Sequence, residues 1–99
     1  MSSSELYLIS KVIHDKDLTV PVRSGLKPDH MTGEWAKVWE WLVGFSRQHG
    51  TVPTERVFTN EFSDVSLYDE ADCASEAYTR LLDEIFDAYR KRCLMDALQ

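Results

Sequence analysis

Apolar positions near the start of the chain, Leu6, Leu8, Ile9, Val12 and Ile13, recur at helical spacing, and Ser2 with Glu5 forms a capping-box pattern ahead of them. The spacing predicts a helix from about Ser3 to Lys16. In DLTVPVRSG, Asp17 to Gly25, the residues Leu18, Val20 and Val22 alternate as in a strand, but Pro21 would remove a ladder donor. A short helix or turn starting near Asp17 is therefore expected. LKPDHMTGEW reads as a connector with a turn at Pro28, and Thr32 stands where it could cap the next helix.

That next helix is the most apolar part of the chain. In GEWAKVWEWLVGFSRQHG, residues Trp35, Val38, Trp39, Leu42 and Val43 fall on one face, and Trp41 and Phe45 widen it beyond half the circumference. A helix from about Thr32 to His49, stopped at Gly50, is predicted at the centre of the fold, with Trp35, Val38, Trp39 and Leu42 buried. Trp41 and Phe45 lie outside the arc that one layer of packing would cover, so they are candidate interface residues.

After Gly50, Pro53 suits the first turn of a short helix whose buried side is Val57, Phe58 and Phe62. SDVSLYDEADCAS leaves two readings open. Either Ser66 and Asp69 cap a helix beginning at Leu67, or the last helix begins near Ser75. From there Tyr78, Leu81, Leu82, Ile85, Phe86, Tyr89 and Cys93 form one stripe. Leu94 and Leu98 fall roughly opposite that stripe and Met95 to one side, so these three need another partner and are candidate interface residues as well. No Gly, Asn or Pro stops the helix before Gln99. Two explanations stay open, a frayed end and a helix cut from a longer chain.

These elements predict an all-α fold: a compact multi-helix bundle of residues 1–99 around a central Trp-rich helix, closed by a long C-terminal helix. With 99 residues, there is room for one domain. No apolar run approaches the roughly 18 residues of a membrane span, and MSSSELYLIS lacks the marks of a signal peptide, so a cytoplasmic chain without membrane contact is expected. In that compartment Cys73 and Cys93 are expected as free thiols at helical positions that accept a small apolar group.

The net charge of −6 argues against phosphate-backbone binding, which depends on Lys and Arg. The exception is YRKRC, where Arg90, Lys91 and Arg92 are a weak nucleic-acid candidate, set against their ordinary role of complementing a helix C-terminus. No chemical constellation stands out. His14, His30 and His49 are far apart, no His or Cys pair has zinc spacing, and the glycines at 25, 33, 44 and 50 stand singly, with no GxxxxGK[ST] or GxGxxG. The carboxylates of DEADC and LLDEIFD have the spacing of a solvated helix face. No catalytic, cofactor-binding or metal-binding residue is expected.

The order of segments adds a resemblance. ELYLISKVIHD, then LKPDHM before an aromatic-rich helix, then GTVPTERVFTNEF, then AYTRLLDEIFDAYRKRCLMDALQ together resemble the amino-terminal domain of DnaB-type replicative DNA helicases. Leu26, Pro28, Asp29, His30 and Met31 stand where that family has a segment like L-x-P-E-D-F. Gly50 to Thr54 match its G-x-P-V-D loosely, and Tyr78, Leu81, Leu82, Tyr89, Arg92, Leu94 and Leu98 look like the helix before its linker. The family pairs these domains through a helical hairpin, and here SDVSLYDEADC alone stands where its first arm belongs, a shortening that resembles phage-encoded relatives.

The resemblance implies a non-catalytic module that supports assembly of the helicase ring. Its implied partners are other copies, the motor domain and a primase or helicase loader, and the ATPase motor would lie outside this chain. The alternative is a stand-alone small helical protein that binds a partner, or that binds DNA as a dimer through the YRKRC helix.

Overall fold

The computed structural model describes residues 4–98, with side chains described to Met95. The Ser2 half of the expected capping box, and the side chain of Leu98, lie outside the described residues. The fold is all-α, as the periodicity predicts: six α-helices and one turn of 3-10 helix, with no strand among the described residues.

Helix α1, Ser4–Asp15, buries Leu8, Ile9, Val12 and Ile13. It ends at Lys16, whose φ of 57° is the left-handed conformation that commonly closes a helix. The Asp17 carboxylate then accepts the Thr19 N–H at 2.8 Å, and α2, Thr19–Arg23, follows as the expected short helix. Pro21 is buried, so its neighbours Val20 and Val22 are turned outward. Pro28–His30 forms the 3-10 turn.

Helix α3, Glu34–His49, is the Trp-rich helix, and it stops at Gly50, whose φ is 74° and whose N–H donates to the Ser46 carbonyl at 2.8 Å. Val38, Trp39 and Leu42 are buried as predicted, whereas Trp35 is half-buried, a correction to the expected set. Thr32 does not cap this helix. Its N–H and hydroxyl both donate to the Glu5 carboxylate, at 2.7 and 3.0 Å, and Gly33 occupies the cap position. A residue suited to a local cap is thus used to tie the start of α3 to α1.

Helix α4, Glu55–Glu61, is capped by Thr54, whose hydroxyl oxygen accepts the Val57 N–H at 3.3 Å. Pro53 therefore lies before the helix and is itself buried, not in the first turn. Phe58 is fully buried, and Val57 and Phe62 are half-buried. Neither reading of SDVSLYDEADCAS is complete. A separate short helix, α5, Glu70–Ala74, forms after Asp69, and α6, Tyr78–Leu98, begins just beyond Ser75. Asp69 makes no side-chain cap bond, and Leu67 is not helical.

Helix α1 is the hub. It packs on α3, α5 and α6, and its two ends are bonded to α6 in antiparallel sense. Ser4 Oγ donates to Glu84 at 2.7 Å, and the Tyr78 hydroxyl donates to Asp15 at 2.9 Å. The segment before α5 is fixed to α1 as well: Tyr68 N–H donates to the fully buried Ser10 hydroxyl at 3.0 Å, and His14 Nε2 lies 2.8 Å from the Tyr68 carbonyl. These bonds satisfy backbone that would otherwise be costly to bury beside an apolar helix.

Candidate functional site

Helix α6 changes character along its length. Leu81, Leu82 and Ile85 are buried against α1, and Phe86 and Tyr89 are half-buried against the 3-10 turn. His30 is held edge-on between those two rings, with centroids 4.9 and 4.7 Å away, and the Arg92 guanidinium donates to the His30 carbonyl at 3.0 Å. Cys93 is exposed, which corrects its place on the buried stripe, and no residue from Arg92 to Met95 is buried.

Leu94 and Met95 are 63% and 62% exposed, the largest exposures among the described large hydrophobic residues. The candidate association residues at this end are thus two adjacent apolar side chains open to solvent, with Leu98 further along the same helix. Leaving such a pair in water is ordinary for one residue and unfavourable for a contiguous patch.

The other sequence candidates are arranged differently. Trp41 packs against Phe45 on its own helix, against Phe58 of α4 and against Phe62 just after it, with centroids 5.4, 6.1 and 5.3 Å apart. Phe45 also packs on His49 at 4.4 Å. Both residues are only half-buried, but the surplus aromatic arc of α3 is largely covered within the chain, by α4. Arg90, Lys91 and Arg92 do not form a free basic patch. Asp87 pairs with Arg90 at 3.7 Å and with Lys91 at 3.1 Å, and Lys91 is the first cause of a lowered Asp87 carboxyl pKa.

No group of three or more His, Cys, Asp or Glu among the described residues could hold a metal ion. The histidines have local partners: the Tyr68 carbonyl for His14, two rings for His30 and Phe45 for His49. Cys73 is buried, and burial pushes its thiol pKa up, so it is a poor nucleophile. No helix of the described residues is long and apolar enough to cross a membrane.

A surface that the periodicity did not single out lies between α2 and α3. Two adjoining hollows, each of about 410 Å³, share Val22, Val43 and Arg47. Lys16 stands at one end and Gly44 in the other hollow, and Val22 is 52% exposed. Its sequence signal was the alternation of Leu18, Val20 and Val22 around Pro21: in a short helix with the proline inward, the two valines must face out.

Charge is segregated along the chain. Between Arg56 and Arg80 lie Glu61, Asp64, Asp69, Glu70, Asp72 and Glu76 and no Lys or Arg, which accounts for the whole net charge of −6. The segments before and after are each balanced overall, the one after it with its cations gathered at Arg90, Lys91 and Arg92 near the end of α6.

The chain matches no protein-family model, no curated protein and no solved structure.

Proposed function

We propose that this chain is a non-catalytic helical module that works by associating, through the outer end of α6, and that its setting is the assembly of a replicative DNA helicase of the DnaB type. The observation that carries the association reading is the exposed pair Leu94 and Met95 on a helix whose inner half buries Leu81, Leu82 and Ile85. Support for the helicase setting comes from the order of elements. ELYLISKVIHD lies in α1, LKPDHM spans the 3-10 turn before α3, GTVPTERVFTNEF holds the turn and α4, and the final segment is α6. In that setting the α6 end meets a neighbouring copy or the linker to a motor domain in the cytoplasm, and a primase or loader docks on the assembled collar.

Binding to DNA plays no part in this function. Two of the three YRKRC cations are paired with Asp87, the third is bonded to the His30 carbonyl, and the unbalanced charge is acidic.

Association is tested by sedimentation of the purified chain over a wide concentration range, alone and with Leu94→Lys and Met95→Lys together. The expected result is a parent whose mass rises with concentration and a variant that stays monomeric. A parent that remains monomeric at the highest concentration overturns the association reading. The helicase setting has a separate test in the coding sequence beyond Gln99: a linker leading to a GxxxxGK[ST] loop is expected, and a stop codon removes it.

A further inference from the structure

We infer that residues 63–76, between α4 and α6, form a strap on α1 that opens as a unit while the helical core stays folded, and that salt holds it shut. On α1 the core residues Leu8, Ile9, Val12 and Ile13 share one side of the helix. Tyr7, Ser10, Lys11 and His14 lie opposite, on the side that an outer helix ordinarily gives to water. Here that side is covered, and Ser10 is fully buried.

All four of these residues hold the strap, three of them by its main chain. The Tyr7 and Tyr68 rings stack with centroids 4.1 Å apart. Ser10 accepts the Tyr68 N–H at 3.0 Å, His14 Nε2 lies 2.8 Å from the Tyr68 carbonyl, and Lys11 Nζ donates to the Cys73 carbonyl at 3.3 Å. Water replaces each of these bonds when the strap leaves, so opening orphans no polar group. The apolar anchorage is slight, because Val65 and Cys73 are the only buried residues from 63 to 76.

Charge works against closure. Asp64, Asp69, Glu70, Asp72 and Glu76 fall within the strap, with no Lys or Arg among them, and none of the five has an ion pair among the described residues. Lys11, the cation that reaches the strap, pairs with Asp15 of its own helix at 3.6 Å. Like charges confined to one short segment repel, extension relieves them, and salt screens them. Few buried apolar contacts and uncompensated charge together place the opening free energy of a segment below that of the whole fold. Of the hydrophobic core, opening withdraws Val65 and the half-buried Leu67, and the core side of α1 is left in place.

Cys73 lies within the strap at 2% exposure, so its thiol reports the opening. Labelling by uncharged iodoacetamide is to be measured on dilute protein carrying Cys93→Ser, at constant pH and at low and high sodium chloride. Each rate is normalised to that of the urea-unfolded chain at the same salt and set against the unfolded fraction extrapolated from urea denaturation. At low salt Cys73 is expected to react about tenfold or more faster than that fraction allows, though still rarely. High salt should slow it several-fold. Asp69→Asn with Asp72→Asn should slow it at low salt and flatten the response to salt.

Labelling no faster than the globally unfolded fraction allows overturns the strap as an independent unit. Faster labelling that ignores either salt or the two carboxylate changes overturns charge as the force that opens it.

Discussion

The Trp-rich face of α3 and the outer end of α6 are the two most conspicuous apolar excesses in this chain, and the fold treats them in opposite ways. On α3, Trp41 and Phe45 extend beyond the arc set by Val38, Trp39 and Leu42, yet Phe58 of α4 and Phe62 at its end pack over Trp41. On α6, Leu94 and Met95 remain open, off the face of Leu81, Leu82, Ile85, Phe86 and Tyr89 that packs inward. Apolar surplus is thus evidence of a partner only after the chain's own elements have been placed. A short helix a few residues downstream can absorb aromatic surface that a helical wheel leaves over.

The sharpest way to break this comparison is to cut into the α3 core. Leu42→Ala removes a fully buried side chain and is expected to cost about 2–5 kcal/mol in urea unfolding. An unchanged midpoint would show that α3 is not the centre of the fold. Trp41→Ala should be smaller, about 2 kcal/mol, since the ring is half-buried but touches three other aromatics. If it instead left stability intact and abolished association, the roles of the two surfaces would be exchanged.

Truncating the α6 end should do the reverse. Leu94→Ala, measured on dilute monomer, is expected to change stability by no more than about 0.5 kcal/mol, as for other exposed positions.

The smallest effect expected is on alkaline stability, and it concerns the α1 side of the molecule. Burial is the first cause that raises the pKa of Cys73 above its ordinary 9.0 and of Tyr78 above its ordinary 10.0, and the bond to Asp15 adds to the latter. Below those ordinary values both groups are protonated in the folded and unfolded chains alike, and stability is full. Above them the unfolded chain releases protons that the folded one keeps, so stability falls as pH rises. The urea midpoint should be level near neutrality and decline from about pH 9 upward, with a shallower decline in Tyr78→Phe. A decline of the same slope in that variant would assign the effect elsewhere.

Much of the fold was legible in the sequence because its strongest signals are local. The stripe of α1, the core of α3, the stop at Gly50 and the inner half of α6 all follow from periodicity and one glycine. The departures come from contacts distant in sequence, or from competing local signals. Thr32 has the chemistry of a cap, but Glu5 competes for its hydroxyl and wins from another helix. Pro53 and Thr54 both announce a helix start, and the threonine, with a side-chain acceptor to offer, takes the cap.

The break between α5 and α6 is a local turn in which Ser75 Oγ donates to the Asp72 carbonyl at 2.8 Å, a bond that no apolar pattern reveals. For the candidate site, periodicity set Leu94 and Met95 off the stripe, and both are exposed, but it kept Cys93 on the stripe, where the structure leaves it exposed too. It also missed the α2/α3 hollow, which depends on how two elements meet.

Cys93 now provides the most direct test of whether the α6 end is the associating surface. It is an exposed thiol adjacent to Leu94, while Cys73 is buried and serves as an internal reference. The rate of thiol labelling is to be measured across the concentration range in which the mass of the protein rises. The account predicts that Cys93 reacts fast in dilute solution and is progressively protected as copies associate, with Cys73 slow throughout. Labelling of Cys93 at one constant rate, while the mass rises, would place the contact elsewhere and contradict the account.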